Sequence, residues 1–265
     1  KQAEFILAGF SIVLTYFNHP VCLPVKMSTV LKRSKSDNES LSTLTEYVVC
    51  DSCKNIHLKN NMPVSIETKC RTPFNGSICN ESLFIKLKNS TRVVPNSVYI
   101  YNSVIETLKL FFLRPGFADE TVKWRHRSGI VGKMTDVYDG EVWKNFKLNI
   151  NDALPYVDAN IYNLMFTLNI DWFQPFDNTV YSVGAIYLTI QNLPRSVRNL
   201  KKNVMLVGVI PGPHEPQTDS LNSFLKPMVD ELIKLKDGIC IKVHGLKNDV
   251  FVRGVLSLIT CDMPA

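Results

Sequence analysis

The sequence has no apolar run long enough to cross a lipid bilayer as a helix. A spanning helix needs about 20 apolar residues, whereas the apolar run FILAGFSIVLTYF at 5–17 has thirteen. No small-residue cleavage pattern follows it, so we interpret the run as a buried helix or strand pair rather than as the core of a signal peptide. We therefore expect no membrane partner.

Acidic residues are too few to balance the basic residues in the first part of the chain. Residues 1–150 hold 20 Lys and Arg against 13 Asp and Glu, and residues 151–265 hold 10 against 11. The two parts therefore carry net charges of +7 and −1. A cationic first part suits a protein that binds a polyanion such as nucleic acid, although a solvated basic surface is the commoner cause.

The polar, serine-rich segment at 26–42 predicts a mobile linker.

The second half of a regular zinc-binding cysteine pattern is missing, although the first half is present. Cys50 and Cys53 form a Cys-x-x-Cys pair, which presents two thiolates to one tetrahedral ion. The next two cysteines, Cys70 and Cys79, are separated by eight residues instead of two. A loop with the turn formers Asn75-Gly76 must close that gap. His57 is an alternative ligand, although an exposed loop histidine is the simpler interpretation.

A disulfide-bonded, extracellular domain is the rival interpretation of the same region. Four glycosylation sequons begin at Asn38, Asn75, Asn80 and Asn89. The cysteine spacing nevertheless favours Zn²⁺ bound by Cys50, Cys53, Cys70 and Cys79 over disulfides.

Two apolar runs of strand length, 164–170 and 255–261, each lead into one aspartate that is followed shortly by proline. These aspartates are Asp171 and Asp262. A carboxylate at the end of a strand can face a crevice and hold a cation, whereas inside a buried strand it would be desolvated. Each aspartate alone is most simply a turn residue, but the pair predicts a metal site. Asp177, Glu215 and His214 are weaker candidates.

Helical periodicity appears between these two regions. Apolar residues from Ile100 to Phe112 recur at helical spacing, and a second helix is predicted over 117–127. The second helix places Trp124 beside Arg125 and Arg127, which could stack on bases and grip phosphate, although an ordinary solvated helix face is the commoner outcome. Three acids follow at Asp136, Asp139 and Glu141; we interpret them as turn and cap residues rather than as a cation site.

A series of motifs in one order carries a resemblance to a known family. The motifs include FLRPGF at 112–117, WRHR at 124–127, DVYDGEVW at 136–143, LNIDWFQPF at 168–176, IPGP at 210–213 and CDMPA at 261–265. From about Tyr47 to the last residue, the chain resembles the catalytic region of CACTA-type (En/Spm-like) DNA transposases. Members also carry a zinc-ribbon-like element before the catalytic part, which YVVCDSCK at 47–54 resembles.

The resemblance implies an α+β or α/β chain with an incomplete ribonuclease H-like domain. In that fold, three consecutive strands are followed by a helix and by a fourth strand parallel to the first. The chain fits this layout with strands at 164–171, 181–190 and 204–210, a helix from about Leu221, a short extra strand at 239–243 and the fourth strand at 255–261. The expected domains are an N-terminal segment at 1–45, a zinc-ribbon-like element at 46–92, a helical basic region at 93–158 and the partial catalytic domain at 159–265.

The resemblance also implies the chemistry, which is DNA cleavage and strand transfer with two Mg²⁺ or Mn²⁺ ions. Asp171 would bridge both ions and Asp262 would hold one. A third acidic ligand, usually a glutamate further downstream, does not occur before Ala265, so we expect the chain to be inactive by itself. It is then a fragment, a decayed element or a derived host protein.

The implied partner is DNA at transposon ends, with a homo-oligomer left open and no small-molecule substrate. The implied location is the nucleus. The alternative function is a noncatalytic, zinc-containing module that binds DNA or protein.

Overall fold

In the computed structural model of the chain, residues 43–130, 132–176 and 180–260 are described. The apolar run at 5–17 and the linker predicted at 26–42 lie outside the described residues, as do Asp177 and Asp262. The chain divides into two compact units. The first consists of Lys1–Asn102, Trp172–Ala185 and Gly208–Lys226, and the second of Ser103–Asp171, Ile186–Val207 and Pro227–Ala265.

Strands and helices are interleaved along the described chain. The strands are β1 Leu44–Val49, β2 Ile56–Leu58, β3 Pro73–Phe74, β4 Ser77–Ile78, β5 Phe84–Lys86, β6 Val93–Pro95, β7 Ser97–Asn102, β8 Asn163–Phe173, β9 Val183–Ile190, β10 Val204–Ile210, β11 Ile239–Ile241 and β12 Val250–Thr260. The α-helices are α1 Val104–Phe112, α2 Phe117–Val122, α3 Glu141–Asn145, α4 Tyr156–Ala159, α5 Arg195–Arg198 and α6 Thr218–Asp237. Short 3-10 turns lie at Lys59–Asn61, Lys123–His126, Val137–Asp139 and Lys201–Asn203.

The first unit is built on an antiparallel sheet in the order β10-β7-β1-β2. Residues along β7 alternate between buried and half-buried, as expected for a strand with one face on a core. The sequence assigned Ile100 to a helix, and that assignment was wrong because Ile100 lies in β7. The helix begins only at Val104, where the Ser103 side chain accepts a hydrogen bond from the amide of Glu106.

The second unit contains sheet strands in the order β11-β12-β8-β9-β10. The short strand β11 is antiparallel to β12, and β12 is parallel to β8. The predicted order of three strands, a helix and a fourth strand parallel to the first is therefore present, and β10 has the predicted bounds. The first of these strands, β8, was predicted to end at Asp171 but continues to Phe173. Its last two residues, Trp172 and Phe173, belong to the first unit, where the ring of Trp172 packs over Gly184.

A side chain of the longest helix, α6, caps the start of α1. The carboxylate of Glu231 in α6 accepts hydrogen bonds from the Ser103 hydroxyl at 2.7 Å and from the amide of Ile105 at 3.1 Å, at the start of α1. The longest helix, α6, contains Pro227, whose missing amide hydrogen removes one helical hydrogen bond.

The core of the second unit contains a cluster of aromatic and aliphatic side chains. Its buried members are Tyr138, Trp143, Tyr156, Val157, Met165 and Val255. The chain is therefore a mixed α+β protein with a mixed sheet. None of the helices in the described part of the chain is long and apolar enough to cross a membrane.

Candidate functional site

Four cysteines of the first unit come together at one point. Cys50 follows β1, Cys53 lies in the turn after it, and Cys70 and Cys79 flank the hairpin β3–β4. The four sulfur atoms all lie within 4.8 Å of one another. Three of the side chains are buried and Cys79 is partly exposed. The chain therefore brings four soft ligand atoms into one small volume, and they could hold a metal ion such as zinc.

The two halves of the cluster share one local feature, a donor residue with positive φ. The amide of Lys54 donates to the carbonyl of Cys50 at 3.0 Å, and the amide of Asn80 donates to the carbonyl of Cys70 at 2.9 Å. Both donor residues have left-handed backbones, with φ of 56° at Lys54 and 55° at Asn80. The first bond closes a tight turn that contains Cys53, and the second closes the base of the hairpin between Cys70 and Cys79.

The hairpin β3–β4 closes the long gap between Cys70 and Cys79. Phe74 pairs with Ser77, which leaves Asn75-Gly76 as a two-residue turn with φ of 50° and 79°. Positive φ at both positions is the pattern that favours Asn-Gly in tight hairpins. The amide of Cys79 then donates to the carbonyl of Thr72 at 3.0 Å. The eight residues between Cys70 and Cys79 thus form a compact hairpin, and the two cysteines flank it.

The sulfur distances distinguish metal ligation from disulfide bonding. The Sγ atoms of Cys50 and Cys79 are 3.6 Å apart, and so are those of Cys53 and Cys70. A disulfide needs about 2.05 Å, whereas a Zn–S bond of about 2.3 Å in tetrahedral geometry separates neighbouring sulfurs by about 3.8 Å. All four thiols are free. Both distances are close to the separation expected around one tetrahedral ion, and the four cysteines form no disulfide.

The sequon residues of this region have a conformational explanation. Asn75, Asn80 and Asn89 all have positive φ, between 50° and 58°. Asparagine adopts this left-handed region several times more readily than most residues. Their presence in turns is therefore accounted for without glycosylation. Asn38 lies outside the described residues.

The electrostatics of the cluster differ from one cysteine to another. Burial raises the pKa of the Cys50 and Cys53 thiols. At Cys79 burial acts in the same direction, but hydrogen bonds from the Glu81 amide and the neighbouring Cys50 and Ser52 side chains outweigh it and lower the pKa to about 7. A bound cation would relieve the cost of holding buried thiolates, because it neutralises them.

His57 lies beside the cluster. Its Nε2 is 3.4 Å from the Cys70 sulfur, and burial lowers the pKa of the imidazole. Four cysteines already complete a tetrahedral shell, so His57 is placed to support Cys70 from outside it.

The second predicted site begins at Asp171 in the second unit. Asp171 lies on β8 with an exposed side chain. Burial, followed by the negative charge of Asp171, raises the pKa of Tyr187 on the adjacent strand β9. The partner predicted for it, Asp262, lies outside the described residues, so the proximity of the two acids stays a prediction.

The strand that leads towards Asp262 is parallel to β8 in a defined register. Gly254 is opposite Leu164, and Thr260 is opposite Asn169. The register shifts by one residue at a bulge between Leu256 and Leu258, where the Ser257 hydroxyl donates to the carbonyl of Phe166 at 3.1 Å. The last described pair, Thr260 and Asn169, therefore lies two residues before the two aspartates in the sequence.

Sequence reasoning missed Asn169 and Tyr187. Asn169 lies two positions before Asp171, so the two side chains are on the same face of β8. Its amide donates to both the carbonyl and the hydroxyl oxygen of Thr260, each at 3.2 Å. A polar residue near the end of an apolar strand, two positions from an acid, was the available signal.

The residues predicted to contact DNA are engaged within the second unit. Arg125 pairs with Asp158 at 3.2 Å, and Arg127 donates to both carboxylate oxygens of Asp139 at 2.6 Å. The indole of Trp124 stacks on Tyr138 with ring centroids 5.7 Å apart. These contacts account for all three residues structurally, and their contact with DNA stays a prediction.

A family model described as Transposase family tnp2 matches residues 131–265, which is just over half of the chain. The chain therefore belongs to this transposase family. The match includes Asp171 and Asp262, and the cysteine cluster lies before it. A search of curated proteins gives no significant match.

Proposed function

We propose that this chain is a CACTA-type DNA transposase whose second unit is built on a ribonuclease H-like domain. Membership of the transposase family supports DNA as the partner. The order of three strands, a helix and a fourth strand parallel to the first supports the fold proposal. Transposon ends are the proposed substrate, and the nucleus is the proposed location.

The parallel pairing of β12 with β8 is the observation that carries the catalytic proposal. Thr260 and Asn169 are opposite each other on strands that run in the same direction, each two residues before an aspartate. After the bulge the pairing runs in register from Leu258 to Thr260, and its continuation by two residues would make Asp171 and Asp262 neighbours. Two adjacent carboxylates are hard oxygen ligands suited to Mg²⁺ or Mn²⁺.

The proposed roles of the two aspartates follow from the affinity of carboxylates for divalent ions. Asp171 and Asp262 would hold the divalent ions, with Asp171 as the shared ligand. The chemistry supplied by such ions is activation of water or a 3′-hydroxyl and stabilisation of charge on the phosphate oxygens. The exposure of Asp171 supports this assignment, because DNA and solvent must reach the site.

Calorimetric titration with Mn²⁺ tests the catalytic proposal. The wild-type chain is expected to bind Mn²⁺, and D171N and D262N are each expected to weaken binding at least tenfold. D249N is the matched control, because Asp249 is an exposed aspartate directly before β12 in the same unit. Equal Mn²⁺ affinity in D171N, D262N and the wild type would contradict the assignment.

A second function is favoured by the cysteine cluster. A noncatalytic, zinc-containing module that binds DNA or protein needs the four thiols but neither aspartate. It predicts zinc in the purified chain and DNA binding that D171N and D262N leave unchanged. Loss of Mn²⁺ binding in those two variants would favour the transposase instead.

A further inference from the structure

The hairpin formed by β5 and β6 carries positive charge without any acid. Its basic residues are Lys86, Lys88 and Arg92. The nearest acids along the chain are Glu81 before the hairpin and Glu106 after it. The strands pair from Phe84 opposite Pro95 to Lys86 opposite Val93. Three cations are thus confined to one short hairpin.

The base of the hairpin is fixed to the cysteine cluster. Leu83 and Phe84 are 0% and 1% exposed and pack in the same core as Cys50, Cys53 and Cys70, with Val93 against them. Asn96 adds two hydrogen bonds, from its side chain to the carbonyl of Ser82 at 2.7 Å and from its amide to the carbonyl of Leu83 at 3.0 Å. The hairpin is therefore held by a buried core.

The outer part of the hairpin is exposed but ordered by its own backbone. Every residue from Ile85 to Arg92 is exposed. The amide of Leu87 donates to the carbonyl of Arg92 at 3.0 Å, and the amide of Arg92 donates to the Ser90 hydroxyl at 3.0 Å. Asn89 supplies the left-handed residue of the turn, with φ of 58°. A closed turn limits the entropy lost when the basic side chains bind a partner.

The three cations have no acidic partner among residues 43–130, 132–176 and 180–260. Other basic residues do, since Arg127 pairs with Asp139 and Arg198 with Asp136 at 2.8 Å. Unpaired like charges that are close together favour an anionic partner, because each one contacts a negative group without first breaking an internal ion pair. Lysine and arginine on a β-ribbon are suited to the phosphates of DNA.

We propose that the hairpin Phe84–Pro95 is a contact surface for the phosphate backbone of double-stranded DNA. Lys86, Lys88 and Arg92 make the phosphate contacts, and the cysteine cluster holds the base of the hairpin. This inference rests on the proposed function for its choice of DNA as the partner. It assigns backbone contact and no sequence specificity, since phosphate contacts do not read bases.

Fluorescence anisotropy with a random-sequence duplex over a series of salt concentrations tests the proposal. The full chain is compared with K86Q/K88Q/R92Q and with the control K144Q/K147Q/K234Q. The control removes the same charge from three exposed lysines of the second unit. Loss of three phosphate contacts is expected to reduce the slope of log Kobs against log salt by about 2.7 and to weaken binding at low salt at least tenfold. The slope of the control variant is expected to differ from the wild-type slope by no more than about 0.9, the contribution of one phosphate contact.

Two further measurements separate folding and function from DNA contact. K86R/K88R/R92K keeps the charge and is expected to bind as the wild type does, and zinc content is expected to be equal in all variants. Equal slopes in the hairpin and control variants, or no DNA binding by the wild-type chain, would overturn the proposal. An unchanged slope in the hairpin variant together with loss of Mn²⁺ binding in D171N would leave the transposase function standing. A reduced slope in the hairpin variant together with unchanged Mn²⁺ binding in D171N would support the DNA contact but not the transposase chemistry.

Discussion

The side-chain amide of Asn169 joins β8 to β12 by donating to the carbonyl and hydroxyl oxygens of Thr260, both at 3.2 Å. The Thr260 hydroxyl also lies 3.4 Å from the carbonyl of Leu168. These contacts occur at the last described pair of the parallel register, two residues before the proposed metal ligands. The Asn169 side chain is therefore placed to hold the two strand ends together.

N169A is expected to weaken Mn²⁺ binding about two- to twelvefold, which corresponds to the roughly 0.5–1.5 kcal/mol of a typical hydrogen bond. Stability should change by no more than about 1 kcal/mol, because the side chain is only half-buried and its hydrogen bonds to Thr260 are exposed to solvent. Titration calorimetry measures the first effect and urea unfolding the second. N199A, which changes an exposed asparagine after α5, is the control. Unchanged affinity in N169A would remove Asn169 from any positioning role.

The cysteine cluster predicts that the purified chain contains about one tightly bound Zn²⁺ per molecule. C53S and C70S should each abolish stoichiometric zinc and lower the unfolding temperature, because structural zinc binding and folding of the element are coupled. Elemental analysis and thermal unfolding provide the two readouts. C240S is the matched control, since Cys240 is exposed and lies outside the cluster. A chain purified under reducing conditions with full stability and no metal would contradict this prediction.

His57 is expected to affect zinc affinity without being a ligand. H57A should weaken zinc binding about tenfold, the lower end of the range for residues that hydrogen-bond to metal ligands, while the stoichiometry stays the same. Competition with a chromophoric chelator measures the affinity. If H57A lost zinc altogether, as C70S is expected to do, His57 would instead be one of the four ligands.

The pairing of Asp139 with Arg127 predicts a pH-dependent contribution to stability. The hydrogen bonds from Arg127 and from the amide of Thr135 hold the pKa of Asp139 well below its usual value. A carboxyl whose pKa is depressed in the folded state stabilises the protein above its unfolded pKa of about 3.9, and this contribution is lost as the pH falls towards the folded pKa.

D139N should therefore be less stable than the wild type at neutral pH, and the difference between the two should narrow as the pH is lowered below about 4. Urea unfolding at neutral and acidic pH gives the comparison, with D249N as the control. A difference that stayed constant with pH would show that the shape of the Asp139 side chain, rather than its charge, matters at this position.

The helix and strand order of the second unit was accessible from the sequence because local periodicity reflects local burial. Val204–Ile210 is a continuous apolar run of strand length and was predicted with its observed bounds. The helix predicted from about Leu221 contains Phe224 and Met228, which are one helical turn apart and are both buried. Ile100 shows the limit of this reasoning, because it is four residues from Val104 by coincidence while its own strand has a period of two.

The candidate site could be predicted from the sequence only in part. The residue types and the Cys-x-x-Cys pair indicated a metal, and the Asn75-Gly76 turn was recognisable. The pairing of Cys50 with Cys79 and of Cys53 with Cys70 was not, because it depends on how two turns meet in space. The same applies to Arg125 and Arg127, whose acidic partners lie 33 and 12 residues further along the chain.

The sequence by itself indicated the order of strands and long helix in the second unit, and it supplied the thiols, the carboxylates and the motifs that resemble those of transposases. Only the tertiary structure decided that four sulfurs converge and that the bulge at Ser257 brings Thr260 opposite Asn169. The physical reason is that burial and backbone preference act over a few neighbouring residues. Convergence and register instead depend on contacts between segments far apart in the chain, which no local pattern encodes.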